Sequence, residues 1–315
     1  SRSGAGTRSA SSAARRAACA RAEPCAPIQK ALLSSAARKT GISAVWSWKN
    51  RTIAVCGSAF RAGILPGATH PDEYVLYMAH WDHLGRTFAP VGGGASDGDT
   101  ISNGAVDNAT GTAGIISIAR AFATAETPPE RSLIFVSVTA EESGLIGSSY
   151  FAEAPLVPLK DIVGGINIDA LLPTGPAKDL IVIGYGASQL EDLLQAAADK
   201  RGLYLRPDAA PENGYFYRSD HISLAKKGVP MLYADSGVDL VEGGEEAGRA
   251  FGDEYTANRY HKPADEYTDD WRLDGLIQTL EVLRDTGAYM AYSDIYPTWY
   301  EGNEFRATQE ALGGQ

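Results

Sequence analysis

Five residues of the types that bind metal ions occur along the chain in the order His80, Asp107, Glu142, Asp169 and His261. Most of them stand where an apolar, strand-like run ends, and ligands bind at the carboxyl ends of strands in an α/β sheet. Imidazole and carboxylate ligands without sulfur suit zinc, and they also fit cobalt or manganese. Two such ions about 3.5–4 Å apart can hold both the attacking and the departing oxygen of a hydrolytic reaction. The residue types therefore indicate a two-metal centre that activates water.

The first candidate ligand closes the apolar run EYVLYMAH and is followed by Trp-Asp-His. His80 and Asp82 are two residues apart, so their side chains point the same way in an extended chain. We therefore expect the Asp82 carboxylate to accept the second ring N–H of His80. Such a bond fixes the tautomer of a metal-binding imidazole and raises its basicity.

Two adjacent glutamates, Glu141 and Glu142, follow the apolar run RSLIFVSVT. Consecutive residues of an extended chain point to opposite sides, so one carboxylate can bind a metal ion while its neighbour takes a proton from the metal-held water. Taken singly, each candidate has an ordinary structural role, such as a helix cap for Asp107, a strand-end acid for Asp169 or an exposed loop residue for His261. Their joint placement, which uses two of only five histidines, favours a metal centre.

The net charge of −11 argues against nucleic acid or an anionic membrane surface as a partner, because both are bound through Lys and Arg at phosphate groups. No apolar run approaches the roughly 20 residues needed to cross a bilayer, so we expect no membrane partner. The charge is unevenly distributed. Residues 1–60 contain ten Lys or Arg and the single acid Glu23, whereas residues 61–315 carry 18 basic and 38 acidic residues.

The first 60 residues also differ in composition. They are rich in Ala, Arg and Ser and contain all three cysteines, Cys19, Cys25 and Cys56. Few large apolar residues and no hydrophobic period occur over most of this segment, so we expect a disordered or non-native basic leader, although its composition also resembles a transit peptide. Residues 61–315 are then expected to form the catalytic domain. Because they lack cysteine, neither a disulfide framework nor a thiolate metal site can be built there.

Beyond about residue 64, strand-like and helical patterns alternate. Strand-like runs occupy 73–80, 131–139, 162–169, 180–184 and 229–233. Helical patterns follow Asp107 and cover 188–201, 219–227 and 270–292. This alternation implies an α/β fold with a mostly parallel central sheet and helices on both faces. A long loop rich in Gly, Ser and Asp, residues 86–106, delivers Asp107 to the start of a helix, where free N–H groups favour a carboxylate.

Six segments resemble successive motifs of the co-catalytic dizinc aminopeptidases, a family of metallopeptidase clan MH that includes glutamate carboxypeptidase and the glutaminyl cyclases. In chain order they are HWDHLG, NGAVDNATGTAG, TAEESGLIGSSYF, NIDAL, RSDH and YHKPADEY. The similarity runs from about Ile64 to WYEGNEFRA near residues 299–307, and residues 1–60 do not share it. It implies a zinc-aminopeptidase-like (phosphorylase/hydrolase-like) fold and two Zn²⁺ ions as cofactors, with other divalent transition metals as substitutes.

The resemblance also implies a role for each candidate ligand. Asp107, in the matching Asp-Asn motif, would bridge the two ions. His80 and Asp169 would complete the ligands of one ion, and Glu142 and His261 would complete those of the other.

Other positions match functional residues of the family. Glu141 would be the general base, Asp82 would orient the ring of His80, and the peptide bond between residues 107 and 108 would be cis. Tyr260 matches a tyrosine that stabilises the oxyanion in some relatives. Because relatives place this tyrosine differently, Tyr215 or Tyr217 could serve instead.

These roles imply a zinc-dependent exopeptidase, above all an aminopeptidase that removes amino-terminal residues from peptides through a metal-bridging hydroxide. The alternatives are a carboxypeptidase or a glutaminyl cyclase on the same scaffold, and a non-catalytic receptor-like member is less expected because all five ligands are present. A carboxypeptidase should present a base to the substrate carboxylate, and Arg218 in FYRSDH is the base near a pocket motif. The resemblance favours an extracytoplasmic location, periplasmic or secreted.

An acidic segment, VDLVEGGEEAGRAFGDE at residues 238–254, precedes His261. We interpret it as a loop that is either simply solvated or rims the substrate cleft and attracts a cationic amino end, an effect that salt would weaken.

Overall fold

The computed structural model describes residues 47–48, 51–52, 60–86 and 99–313. The strands of this part of the chain are β1 (Ser47–Trp48), β2 (Arg51–Thr52), β3 (Phe60–Leu65), β4 (His70–His80), β5 (Gly85–Arg86), β6 (Ile101–Ser102), β7 (Arg131–Val138), β8 (Ile162–Asn167), β9 (Asp179–Val182), β10 (Tyr204–Pro207) and β11 (Met231–Ser236). The helices are α1 (Gly111–Ala123), α2 (Ile146–Glu153), α3 (Leu190–Asp199), α4 (His221–Ala225), α5 (Gly244–Asn258), α6 (Leu273–Ala291) and α7 (Arg306–Leu312).

A seven-stranded sheet in the order β10–β9–β11–β8–β4–β7–β3 organises the molecule. Its four central strands, β11, β8, β4 and β7, run parallel to one another. At one edge β3 pairs antiparallel with β7, and at the other β9 pairs antiparallel with β11 and parallel with β10. The predicted mostly parallel central sheet is therefore confirmed.

Alternate residues of the central strand β4 enter two separate cores. Val75 and Tyr77 pack in a core that also contains residues of α1, α3 and α6. Leu76 and Met78 point the other way, into a core with residues of α2 and α4. Because side chains of a strand alternate between its two faces, this division means that helices cover both faces of the sheet, as predicted.

The structure also contains elements that the sequence patterns do not predict. The acidic segment at 238–254, interpreted as a loop, is largely helix α5, and β3 supplies an antiparallel edge strand just before the family resemblance begins. The expected leader lies almost entirely outside the described residues, as does most of the loop at 86–106. Within the described ranges, no helix combines the length and apolar character needed to span a membrane.

Three candidate ligands lie at, or a few residues after, the carboxyl ends of adjacent parallel strands. His80 is the last residue of β4, Glu142 lies four residues after β7, and Asp169 lies two residues after β8. These strands are neighbours in the sheet, so their ends bring the three side chains to one edge.

Arg131 at the start of β7 is a buried cation that ties this end of the sheet to the end of α6. Its Nε donates to Glu73 Oε2 at 2.6 Å, and its Nη1 donates to the carbonyl oxygens of Met290 and Ile295 at 2.9 and 2.8 Å. Its guanidinium also lies 4.3 Å from the ring centroid of Tyr296. The side chain is only 2% exposed, so these contacts replace nearly all of its hydration.

We expect Arg131→Met to lower the free energy of unfolding by about 3 kcal/mol, because it leaves Glu73 and two carbonyl oxygens without their donor. Thermal unfolding of the purified variant measures this loss. Arg120→Met, at an exposed position in α1, is the matched control. Equal midpoints for the two variants would show that the Arg131 contacts contribute little stability.

Candidate metal centre

Three predicted ligands meet in the first half of the site. His80 Nε2 lies 3.0 Å from Asp169 Oδ1 and 3.2 Å from Asp107 Oδ1. All three residues are buried. They form one cluster of ligand-type atoms, and an ion between them would be held by one imidazole and two carboxylates.

The second half lies on the other side of the same aspartate. His261 Nε2 is 3.3 Å from Asp107 Oδ2 and 3.2 Å from Glu142 Oε2. The two oxygens of Asp107 thus face different histidines, Oδ1 towards His80 and Oδ2 towards His261. The structure therefore brings all five predicted ligands together, with Asp107 in the middle.

The ring of His80 is oriented by a main-chain group. Its Nδ1 lies 3.1 Å from the carbonyl oxygen of Asp82, whereas the Asp82 carboxylate oxygen Oδ1 is 3.9 Å away. The expectation that the carboxylate accepts this ring N–H is therefore corrected: the chain leaves the extended conformation after His80, and the carboxylate instead accepts a bond from the backbone N–H of Glu141 at 3.4 Å.

This orientation supports a cation at the first half. When Nδ1–H of His80 donates to a carbonyl oxygen, Nε2 carries a lone pair, and it faces two carboxylate oxygens. In the neutral ring these three acceptors repel one another, and a proton on Nε2 or a metal ion among the three atoms supplies the positive charge that holds them together. Burial lowers the pKa of His80, but the carboxylates of Asp169 and Asp107 outweigh burial and raise it far above its ordinary value. The residues present thus fit a divalent metal ion.

The turn that carries Asp107 is held from two sides. The peptide bond Asp107–Asn108 is cis, as the family resemblance implies. On one side, the Asp265 carboxylate accepts hydrogen bonds from the backbone N–H groups of Val106 and Asp107 at 2.9 and 3.1 Å. The Asp265 carbonyl oxygen accepts another from the backbone N–H of Ala105 at 3.1 Å.

On the other side, the Asn108 side chain ties the same turn to the backbone around Asp169. Its Nδ2 donates to the carbonyl oxygen of Ile168 at 2.9 Å, and its Oδ1 accepts the N–H groups of Gly111 and Ala170 at 2.9 and 3.2 Å. The position of the central carboxylate relative to both halves is therefore set by hydrogen bonds and does not depend on a flexible loop.

A serine limits how Asp169 can bind an ion. Ser219 Oγ donates to Asp169 Oδ2 at 2.5 Å, and the Asn167 side chain donates to Ser219 Oγ at 2.8 Å. With Oδ2 engaged in this way, Oδ1 is the oxygen that faces His80. The arrangement favours a single oxygen of Asp169 as a metal ligand.

Glu141 lines the same cleft as the ligands. Burial, followed by the negative charge of Asp169, raises the pKa of Glu141 to about 9. A cation bound at the neighbouring ligands would lower this pKa again, towards the range that a general base needs near neutral pH. The side chain is thus placed and poised to exchange a proton with a group in the cleft.

Backbone strain is concentrated at the site. In the described part of the chain, four residues other than glycine have a positive φ: Ala140, Leu145, Ala170 and His261. Ala140 directly precedes the glutamate pair, Ala170 directly follows Asp169, and His261 is itself a candidate ligand. Side chains in this conformation cost free energy and cluster at functional sites, so their positions support a functional role for this edge of the sheet.

The cleft above these residues has a volume of about 570 Å³. It is lined by Tyr260, Tyr215, Tyr217 and Arg218 as well as by all the candidate ligands except His80. The Tyr260 ring stacks on that of His261, with 3.8 Å between centroids. The Tyr217 hydroxyl donates to Glu304 at 2.7 Å and is therefore engaged by a carboxylate outside the ligand set, which leaves Tyr260 and Tyr215 as candidate donors.

Three residues with a role here were not predicted: His83, Asp265 and Ser219. His83 lies beside Glu142 and could have been suspected, because HWDH places two of the five histidines within four residues. Asp265 and Ser219 fall inside recognised motifs, but their partners are distant along the chain and become visible only in the fold.

The acidic helix α5 does not present its acids to the cleft. Glu242 pairs with Arg272, and Glu245 pairs with Arg206 and Arg249. The part of this segment that lines the cleft is Gly252, Tyr255 and Thr256. Glu242 and Glu245 are thus paired with arginines and are not among the residues that line the cleft, whereas Gly252 of the same segment is.

His221 of the RSDH segment is buried among aromatic rings and lies outside the ligand set. Its ring centroid is 4.9 Å from that of Phe216 and 5.1 Å from that of Tyr233. Burial lowers the pKa of His221 to about 3. Since an unfolded histidine titrates near 6.5, the unfolded chain takes up the proton first as the pH falls.

We therefore expect acid to destabilise the fold through His221, by roughly 1.4 kcal/mol for each pH unit between about 6.5 and 3. In His221→Gln this contribution is absent. The difference in unfolding midpoint between the wild type and this variant should shrink from pH 7 to pH 4. His70→Gln, at an exposed histidine, should show a constant difference. A constant difference for His221→Gln as well would mean that His221 is not kept neutral by the fold.

The family model for peptidase family M28 matches residues 62–285. This match covers well over half of the chain, and the chain belongs to peptidase family M28. The resemblance inferred from the six sequence motifs is thereby confirmed.

Among curated proteins, the chain is 38% identical over 112 residues to aminopeptidase NAALADL1 of Mus musculus, a match that covers 34% of this chain and 13% of that protein. It is 28% identical over 187 residues to leucine aminopeptidase 2 of Arthroderma otae, which covers 55% of this chain and 36% of the relative. The chain thus spans well under half of the length of either relative.

Solved structures show the same fold. A zinc aminopeptidase from Bacillus subtilis superimposes with a TM-score of 0.54 at 20% identity, over 78% of this chain and 53% of that one. An aminopeptidase from Aneurinibacillus sp. strain AM-1 gives 0.51 at 19% identity, over 74% and 47%. The predicted zinc-aminopeptidase-like fold is therefore confirmed.

Proposed function

We propose that the chain is a zinc-dependent exopeptidase, most specifically an aminopeptidase, with two ions held on either side of Asp107. The observation that carries this proposal is the division of the two Asp107 oxygens between His80 and His261, each accompanied by a second carboxylate. The names of the relatives, two aminopeptidases and a zinc aminopeptidase, support the same activity.

Bound divalent ions would supply two things: a lowered pKa for a water molecule in the cleft and polarisation of the scissile carbonyl. The protein's own part begins with Glu141, which accepts the proton of the attacking water and returns it to the leaving amine. Its place in the cleft beside the ligands suits both transfers.

Tyr260 is proposed to donate a hydrogen bond to the oxygen on which negative charge develops. Stacking on His261 fixes its ring next to one half of the centre. Burial, followed by the charge of Asp107, raises its pKa above the ordinary value, so the hydroxyl keeps its proton and remains a donor. Removal of one such donor typically costs about 3 kcal/mol of transition-state stabilisation.

A panel of aminoacyl-nitroanilides, assayed with and without a chelator, tests the proposed activity. We expect hydrolysis of the free-amine substrates, its loss on chelation and its recovery on addition of Zn²⁺. Amino-acetylated versions of the same substrates are the control, and they should not be cleaved. Hydrolysis that chelation leaves unchanged would rule out a metal-dependent mechanism.

A carboxypeptidase remains the second candidate because of Arg218. This side chain is exposed at the cleft, and its guanidinium lies 5.5 Å from the ring centroid of Tyr215. A guanidinium so placed can bind a substrate carboxylate. Dipeptides with a blocked amine and a free carboxylate distinguish the two activities, since only a carboxypeptidase should cleave them. Ammonia release from peptides that begin with Gln would reveal a glutaminyl cyclase.

We further propose that residues 61–315 form the catalytic domain. All proposed ligands and Glu141 lie in this range. Deletion of residues 1–55 should then leave metal content and nitroanilide activity within about twofold of the full chain, because exposed or unpacked termini tolerate truncation. A metal-free or unfolded product would show that the first residues belong to the folded domain.

A further inference from the structure

A third histidine lies beside the second half of the metal centre. The His83 side chain is only 5% exposed, and its Nδ1 lies 2.6 Å from Glu142 Oε1 and 4.0 Å from Asp107 Oδ2. These residues form a cluster of ligand-type atoms, as His80, Asp107 and Asp169 do in the first half. Glu142 thus directs Oε1 to His83 and Oε2 to His261.

The short contact between His83 and Glu142 is not a hydrogen bond. Neither His83 Nδ1 nor Glu142 Oε1 has a hydrogen-bond partner in the described structure, and His83 Nε2 also has none there. A buried polar group without a partner costs about 1–3 kcal/mol. These two atoms and Asp107 Oδ2, which lies 4.0 Å from His83 Nδ1, form a buried group of ligand-type atoms whose lone pairs a shared cation would satisfy.

The position of the His83 ring is fixed by the turn that precedes Asp107. Gly104 has φ +63°, and a Cβ at Gly104 would lie 2.7 Å from the Cβ and Cγ of His83 and 2.4 Å from the carbonyl oxygen of Asp107. Only glycine permits so close an approach in this conformation. The His83 ring is therefore packed into place by the backbone that also carries the central aspartate.

We propose that His83 is a further ligand of the ion held by Asp107, Glu142 and His261. This inference rests on the proposed two-metal function and adds to it an unequal distribution of ligands: two imidazoles in the second half and one in the first. The two histidines also differ in environment, since the His261 side chain is 35% exposed and that of His83 is buried. The second ion accordingly keeps a buried imidazole ligand when His261 is removed.

X-ray absorption spectroscopy of the wild-type protein loaded with Zn²⁺ tests this directly, because it counts imidazole ligands without any substitution. Three imidazoles shared by two ions support the proposal. Two imidazoles shared by two ions overturn it and leave the proposed function intact. A protein that binds fewer than two ions contradicts the two-metal function itself, and the proposal falls with it.

Single variants give an independent readout through zinc stoichiometry and affinity. His83→Ala and His261→Ala should each lower the affinity for the second-half zinc ion by at least about tenfold, while the double variant should not bind that ion at all. His80→Ala removes the one imidazole of the first half, and this single substitution should abolish zinc binding in that half. Asp253→Ala, at an exposed carboxylate of α5, is the control. Unchanged zinc affinity in a folded His83→Ala protein, or no further loss in the double variant, would overturn the proposal.

Discussion

Glu141→Gln should reduce kcat by about 10²–10⁴-fold while both ions remain bound, because the amide keeps the size of the side chain but cannot accept the proton of the attacking water. The structure supports this separation of roles: Glu141 lines the cleft, whereas the contacts to His83 and His261 are made by Glu142. Steady-state kinetics on an aminoacyl-nitroanilide, with zinc analysis of the same preparation, measures both quantities.

The matched control for this variant is Glu126→Gln, at an exposed glutamate that does not line the cleft. It should retain wild-type kcat and zinc content. A Glu141→Gln protein with more than about a tenth of the wild-type rate would show that another group takes the proton. A variant that loses both rate and zinc would place Glu141 among the ligands instead.

Asp107→Ala should cause the largest loss of metal among single ligand variants, because the two oxygens of this carboxylate face different halves of the centre. We expect nearly metal-free protein, whereas His80→Ala should retain the ion of the second half. Zinc content after dialysis, normalised to folded protein by circular dichroism, measures the difference.

Asp253→Ala, which removes an exposed carboxylate from α5, is the control for Asp107→Ala and should retain full zinc content. Loss of a single ion in Asp107→Ala, equal to that in His80→Ala, would make Asp107 an ordinary ligand of one ion. The bridging role would then be abandoned, although metal binding at His80 and Asp169 would stand.

The sequence predicts the central strands and the meeting of the candidate ligands at one edge of the sheet because both leave strong local signals. The second half of β4 and nearly all of β7 and β8 are buried, so their apolar runs end visibly next to His80, the glutamate pair and Asp169. Parallel strands then bring those ends to one edge. The position of Asp107 could be inferred from its motif, but not the hydrogen bonds from Asp265 and Asn108 that fix it.

The features that sequence analysis missed have identifiable causes. Helix α5 buries only Gly248 and Tyr255, so its fifteen residues carry no apolar stripe from which a helix could be predicted. The expected orientation of Asp82 fails for another reason: Asp82 follows the last residue of β4, where side chains no longer alternate regularly. Local periodicity contains no information about such turns.

The hydrogen bonds of Asp265 have a thermodynamic consequence for the pair of ions. His261 and Asp265 belong to one short loop, and Asp265 holds the backbone of Ala105, Val106 and Asp107. The loop that carries His261 is therefore joined directly to the turn through which Asp107 faces His80. Two ions bound on either side of Asp107 would be coupled through this contact, and the coupling must be reciprocal. Removal of the ion near His261 should accordingly change the zinc affinity at His80 and Asp169 by the same factor by which removal of the ion near His80 changes the affinity at His261.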